Sequence, residues 1–320
     1  MIYGTQSPGR YFPWGIDRSG WPIFKKKRIT AYNRPMLRTS APPTPLALPA
    51  PPTLAHLLAD WLPAFGQVDW KKETGSTNAD LLARAREHPQ DKPWLLGAHL
   101  QTSGRGRMGR SWQNMAGAAL MVSFAFDVQL LAAELPALSP LTGLAACESL
   151  RALIGEDAAG QLTVKWPNDL QWGQAKLAGL LVESLRNPGG PGAGHTVVVG
   201  IGINLRDAQA LSQALERPIA DWGQTGAPAA VGVAEIVRAL ANGFHQAVLD
   251  VQREGFGAFA RRYARVDALA GQPVNVIDQG KIVQQGIAQG LDAHGRLLLR
   301  TAEGAIQPII VGEVSIRPLS

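Results

Sequence analysis

The chain has 320 residues, 46% hydrophobic and 18% charged, the balance of a globular protein with room for a large core and two domains. Its single cysteine, Cys147, excludes an internal disulfide. No apolar run approaches the ~18 residues of a membrane span, and no charged-apolar-small leader opens the chain, so the cytoplasm is the expected location. The net charge of +6 is unevenly placed: residues 1–52 carry +7, and everything after them sums to about −1, so no nucleic-acid-binding face is implied for the folded part.

Residues 1–52 contain the basic cluster Lys25-Lys26-Lys27-Arg28 and end in Pro42, Pro43, Pro45, Pro49, Pro51 and Pro52. The composition predicts a disordered, solvated tail and extended linker. Met36 offers an alternative start of translation. The tail has no i, i+3, i+4 apolar pattern, so a helix-turn-helix DNA reader is not expected there. Thr53 is expected to cap a helix over Leu54–Leu62, and Val68–Glu73 reads as a strand. Ser76 or Thr77 then caps a helix to about Glu87, with Leu81, Leu82 and Ala85 inward. Trp94–Leu100 and Ala118–Phe126 read as strands, and Leu138–Ile154 as a long apolar helix in which Cys147 is a small buried hydrophobe. Leu162–Trp172, Lys176–Leu185 and Thr196–Leu205 read as three successive strands. Ala234–Val251 is a helix with Val237, Leu240, Phe244, Val248 and Val251 on its core face. Strands in runs with helices on one side predict an α+β fold, a mixed or antiparallel sheet packed with helices. From about Ala268 the runs shorten to Pro273–Ile277, Ile282–Gly290, Arg296–Leu299, Ile306–Ile309 and Glu313–Arg317, the pattern of a small β-barrel. The expected division is therefore 1–52, 53–267 and 268–320.

The strongest chemical signal is Thr102–Trp112, T-S-G-R-G-R-M-G-R-S-W. Gly104, Gly106 and Gly109 let backbone N–H groups approach an anion, and Arg105, Arg107 and Arg110 supply forks that match phosphate or carboxylate oxygens. The same letters fit a dinucleotide-binding G-x-G-x-x-G and, but for Arg110, a phosphate loop. Both require a helix directly after the loop, and a strand-like run follows instead. A mobile loop that closes over an anionic ligand is the favoured reading.

Four further motifs stand in order: Glu73-Thr74-Gly75-Ser76-Thr77-Asn78, Lys165-Trp166-Pro167-Asn168-Asp169, Lys176-Leu177-Ala178-Gly179-Leu180-Leu181-Val182-Glu183, and Val199-Gly200-Ile201-Gly202-Ile203-Asn204-Leu205. With the arginine–glycine loop they give the chain a resemblance, over roughly residues 54–320, to the biotin–protein ligases, in the form without an N-terminal DNA-binding domain. The resemblance implies a class II synthetase-like catalytic domain followed by an SH3-like barrel. It implies that biotin is activated by ATP to biotinyl-5'-AMP and then passed to a lysine of the biotin carboxyl carrier protein of acetyl-CoA carboxylase. Two anions must be held together in such a step, which requires fixed positive charge.

By the same resemblance Ser76, Thr77, Asn78 and Gln101 meet the ureido head of biotin. Arg105, Gly106 and Arg107 close over the acyl phosphate, and Gly179, Gly200 and Gly202 allow close approach. Lys176 is the leading candidate for the charge at the reacting centre. Gly104, Arg110, Trp112, Asn168, Asp169 and Asn204 are assigned to the nucleotide, with Asp169 also the candidate ligand of Mg2+. A lipoate or octanoate ligase or transferase of the same fold is the alternative. Sequence-specific DNA binding is not expected, and homodimerisation is left open.

Overall fold

Alternation of apolar residues first builds a central sheet. The computed structural model describes residues 46–88, 92–112, 117–189, 192–310 and 314–318; the readings made for residues 1–45, the basic cluster and Met36 among them, lie outside these. In chain order the elements are α1 (Pro51–Trp61), β1 (Gln67–Thr74), α2 (Thr77–Glu87), β2 (Trp94–Gln101), β3 (Ala119–Val128), α3 (Leu138–Arg151), α4 (Glu156–Ala159), β4 (Leu162–Lys165), β5 (Asp169–Trp172), β6 (Ala175–Arg186), β7 (His195–Asn204), α5 (Ala208–Leu215), α6 (Val233–Glu254) and α7 (Ala260–Tyr263). Five short strands follow: β8 (Pro273–Asp278), β9 (Lys281–Leu291), β10 (Leu297–Arg300), β11 (Ile306–Ile309) and β12 (Val314–Pro318).

The first seven strands form one sheet in the order β1-β2-β3-β7-β6-β5-β4. Only β1 and β2 run parallel; the other neighbours are antiparallel. Helices cover both faces, which corrects the one-sided expectation. Leu95 of β2 joins the large core with α1, α3 and α6, while Trp94 and Leu96 pack with Leu81, Leu82 and Ala85 of α2 on the opposite face. The physical reason is the parallel pair: joining β1 to β2 requires a crossover, and α2 is that crossover. β3 is buried on both sides as a result, with only Asp127 exposed.

Two local readings are also corrected. Helix α1 starts before Thr53, with Ala50 at the N-cap and Pro51 and Pro52 in the first turn, where a missing N–H costs nothing. Leu46 and Leu48 already pack against the core, so the folded chain reaches back into the segment assigned to the tail. The expected strand over residues 162–172 is two strands, β4 and β5, paired from Leu162↔Trp172 to Lys165↔Asp169. Pro167 has no N–H for a ladder, and the chain reverses through Trp166-Pro167-Asn168.

The last five strands form an antiparallel sheet in the order β11-β10-β9-β8-β12. Val274, Val276, Ala288, Leu297, Leu299, Ile309 and Ile316 are buried and continue the main core. Cys147 is fully buried, its Sγ 3.3 Å from the Leu162 carbonyl, and burial pushes its thiol up to about 12; it packs, as expected, as a small hydrophobe. Among the described residues no helix is long and apolar enough to cross a membrane.

Candidate active site

The carboxyl end of β2 and the middles of β3, β6 and β7 leave a cavity roofed by the arginine–glycine loop. Its walls include Ser76, Thr77, Asn78, Gln101, Arg105, Gly106, Arg107, Arg110, Trp112, Asn168, Asp169, Lys176, Gly179 and Gly200. The five separate sequence motifs thus meet in one place. Gly104 and Asn204 stand outside this lining.

One end is polar and buried. Ser76 caps α2, its hydroxyl accepting from the Ala79 N–H at 3.4 Å. The Thr77 N–H donates to Gln101 Oε1 at 2.7 Å. Thr77 Oγ1 lies 2.6 Å from Ser123 Oγ, and Ser123 donates to Asn78 Oδ1 at 2.6 Å. The Asn78 amide donates to Glu183 Oε2 at 2.8 Å and to the Leu181 carbonyl at 3.2 Å. Both ends of the Asn78 amide are therefore engaged within the protein. Ser76, Thr77 and Gln101 line the same end of the cavity.

The other end is cationic. The Lys176 backbone is held from two sides, its N–H donating to the Pro218 carbonyl at 3.0 Å and its carbonyl accepting from Ala220 at 2.9 Å. Its ammonium lies 2.6 Å from Asp169 Oδ1 and 5.6 Å from the centre of the Trp112 ring. Arg107 donates to Asn168 Oδ1 at 3.3 Å, and Asn168 in turn donates to the Leu180 carbonyl at 2.7 Å. Burial draws the Arg107 guanidinium below its ordinary value, with Asp169 opposing the shift and Arg110 adding to it. Arg105, half-exposed, has Nη2 3.9 Å from Glu183 Oε1.

The loop itself is a short hairpin. The Gly106 N–H donates to the Arg110 carbonyl at 2.7 Å and the Trp112 N–H to the Gly104 carbonyl at 2.8 Å. Met108 and Gly109 turn the tip with φ of 58° and 68°. Gly104 closes the base of the hairpin: a Cβ there would stand 3.3 Å from Gln101 Nε2. Trp112 is laid flat on a floor made by Gly179 and Gly202, which pair directly across β6 and β7. A Cβ would stand 3.1 Å from the ring at Gly179 and 2.6 Å at Gly202, so side chains there would lift the indole. Trp112 walls the cavity.

A second cavity adjoins the first beyond Trp112 and Lys176, lined by Arg110, Asn204, Leu211, Leu215, Arg217 and Ile219. Asn204 donates to the carbonyls of Lys176 at 3.2 Å and Ala220 at 3.1 Å, so it fastens the strand that carries Lys176 and also faces this space. Sequence reasoning missed Ser123, Arg217, Leu211, Leu215 and Ile219, and gave Glu183 no role within its motif. Ser123 carried a usable signal, as the one hydroxyl in the apolar run A-A-L-M-V-S-F-A-F. Arg217 carried none, because no element was read around it.

Positive groups at one end, a hydrogen-bonding head pocket at the other and an apolar slot alongside suit an acid with a polar head and a nucleotide. The family model described as the biotin/lipoate A/B protein ligase family matches residues 70–204, and that of the biotin protein ligase C terminal domain matches residues 270–317. The chain is 35% identical over 236 residues to the biotin--[acetyl-CoA-carboxylase] ligase of Paracoccus denitrificans, covering 72% of this chain and 93% of that protein. It is 33% identical over 249 residues to the bifunctional ligase/repressor BirA of Escherichia coli, covering 76% and 71%. Among solved structures it is similar to the biotin protein ligase from Aquifex aeolicus in complex with biotin and ATP, with a TM-score of 0.63 at 25% identity, covering 79% of this chain and 99% of that one.

Proposed function

The chain belongs to the biotin/lipoate A/B protein ligase family, and from that premise we infer that it is an ATP-dependent biotin–protein ligase. The observation that carries the reading is the meeting of the head pocket and the cationic centre in one cavity. In the first half-reaction a biotin carboxylate oxygen attacks the α-phosphorus of ATP. The bond to pyrophosphate breaks and biotinyl-5'-AMP forms. In the second, the amine of a carrier lysine attacks the acyl carbon, AMP leaves, and the amine loses a proton as the amide forms.

Position supports each of the proposed roles. Ser76, Thr77 and Gln101 offer hydroxyl and amide groups to the ureido head. Lys176 sits on a pinned strand between the two cavities, where acid and α-phosphate meet, and its charge acts on the charge that develops there. Arg105, Gly106, Arg107 and Arg110 roof the acyl phosphate from the loop. Leu211, Leu215 and Ile219 offer an apolar slot for the base, with Asn204 and Arg217 at its edge. A lipoate or octanoate substrate would set an alkyl chain against the buried polar network of Thr77, Asn78 and Ser123, which disfavours that alternative.

Mg2+ is proposed as the companion of ATP. Among the described residues no group of three or more His, Cys, Asp or Glu side chains could hold a metal. The donor set fits a cation that shares one carboxylate, Asp169, with the phosphates. Bound there, it would neutralise phosphate charge; Asn168 and Lys176 hold Asp169's surroundings in place.

The proposed acceptor is the biotin carboxyl carrier protein of acetyl-CoA carboxylase, in the cytoplasm, without sequence-specific DNA binding. The proposed division is a catalytic part to residue 267 and a C-terminal part over 268–320. Incubation with ATP, Mg2+, biotin and a carrier domain, read by intact mass, should add one biotinyl group to the carrier. Modification by lipoate or octanoate in place of biotin would overturn the assignment.

A further inference from the structure

The head of the cavity is wired in one direction. Asn78, Ser123 and Thr77 are all buried. The Asn78 amide faces Glu183 Oε2 at 2.8 Å and the Leu181 carbonyl at 3.2 Å. A carboxylate and a carbonyl only accept, so the NH2 must lie on that side and Oδ1 must face Ser123. Ser123 has one hydroxyl hydrogen. Given to Asn78, it leaves the Ser123 oxygen an acceptor towards Thr77 Oγ1 at 2.6 Å. Two oxygens at that distance need a hydrogen between them, and Thr77 supplies it. The other group within reach, Gln101 Oε1 at 3.0 Å, is also an acceptor. The Thr77 hydrogen therefore points into the protein, and a lone pair is what Thr77 offers the cavity. Gly200 makes room for the chain of bonds, since a Cβ there would stand 2.2 Å from Asn78 Oδ1.

We propose that Glu183, Asn78 and Ser123 form a hydrogen-bond relay that makes Thr77 an obligate acceptor, selecting a head group that presents an N–H over one that presents an oxygen. The proposal rests on the biotin-ligase reading and deepens it. Discrimination is set by a carboxylate three hydrogen bonds away from Thr77. Glu183, Asn78 and Ser123 are positioning residues; of the four linked groups, Thr77 alone touches substrate.

The test compares biotin with the two analogues in which one or the other ureido N–H is replaced by a ring oxygen. Affinity is measured by calorimetry and kcat/KM for adenylate formation by pyrophosphate release. The wild-type protein should prefer biotin over at least one analogue by about a hundredfold or more, as sites built to pair an N–H do. In Ser123→Ala the Thr77 hydroxyl loses its 2.6 Å acceptor and keeps only Gln101 Oε1 at 3.0 Å, which already accepts from the Thr77 N–H. Its hydrogen can then turn towards a ligand oxygen, and the preference should fall by about tenfold, the equivalent of one hydrogen bond. Glu183→Gln should relax it less, because the Leu181 carbonyl still orients Asn78. Damage to the fold alone would weaken both ligands together and leave the ratio unchanged, and a melting curve checks each variant. An unchanged ratio in the folded variants, with wild type active on biotin, overturns the relay alone. A wild-type protein that does not activate biotin overturns the functional reading, and the relay with it.

Discussion

Replacing Lys176 by Ala should damage adenylate formation far more than biotin binding, and the damage should have two separable parts. The first is loss of a positive donor at the site of developing charge, worth about 3–4 kcal/mol, or roughly 10²–10³ in kcat. The second comes from the partner left behind. Lys176 Nζ lies 2.6 Å from Asp169 Oδ1, with side-chain exposures of 17% and 26%. Stripped of its cation, that carboxylate faces the incoming phosphates and repels them, by on the order of 1 kcal/mol in a site this open to water. The total is about 4–5 kcal/mol, or 10³–10⁴ in rate. Lys176→Ala combined with Asp169→Asn should then recover about tenfold over the single variant. The assay is ATP–pyrophosphate exchange, with biotin affinity measured in parallel. Exchange near wild type in the single variant would remove Lys176 from the chemistry. A double variant weaker than the single, with Mg2+ saturating, would refute the electrostatic account and leave the proposed hold on Mg2+ as the dominant duty of Asp169.

Arg107 donates to Asn168 from the roof of the cavity, and Arg107→Gly should still form biotinyl-5'-AMP but release it early; an avidin blot should show labelled albumin added to the assay, and labelling no greater than wild type would refute this. Asp267 is half-buried, its Oδ2 shut off from solvent and lacking a hydrogen-bond partner, and this desolvation raises its carboxyl from 3.8 to about 6. The folded chain thus holds this proton more tightly than the unfolded one. Its ionisation removes stability as pH rises from about 4 to 6, by roughly 3 kcal/mol at neutral pH and above. Urea titrations should therefore show Asp267→Asn gaining stability at pH 8 but not at pH 4, and parallel pH profiles would refute the assignment. Deleting residues 1–45 should leave melting unchanged, whereas deleting 1–52 removes Leu46, Leu48, Pro51 and Pro52 and should lower Tm by roughly 5–10 °C; equal melting of the two truncations would place the start of the folded chain later.

The motifs were legible because each couples a residue type to a spacing. Ser76 follows from helix capping, the loop from its glycines and arginines, and Lys176 from a turn that opens an apolar strand. Their convergence was expected through the resemblance alone, since no local pattern states that β6 pairs with β7 to set Gly179 against Gly202. The two-sided sheet was missed because the parallel β1–β2 pair is a long-range choice, although α2 between two strands hinted at a crossover. The turn at Pro167-Asn168-Asp169 was legible, but the strand-like runs before and after it read as one strand. Glu183 was visible, but its partner Asn78 lies 105 positions away, and only the folded chain shows them in contact.

The turn that carries Asn168 and Asp169 does not stand on the catalytic sheet alone. Trp166 Nε1 donates to the Gly295 carbonyl at 3.0 Å, and Ser139 donates to the Pro167 carbonyl at 3.2 Å. Gly295 is itself constrained: its φ is +72°, and a Cβ would press on Pro140 and Ala137 at 3.1–3.2 Å. The C-terminal sheet thus serves as a bracket for the turn that carries Asn168 and Asp169. A genetic screen for variants that stay folded but lose turnover would be expected to return substitutions in the β9–β10 turn, far from the cavity in sequence, and grafting a foreign C-terminal sheet onto this catalytic part would have to reproduce that one carbonyl before anything else.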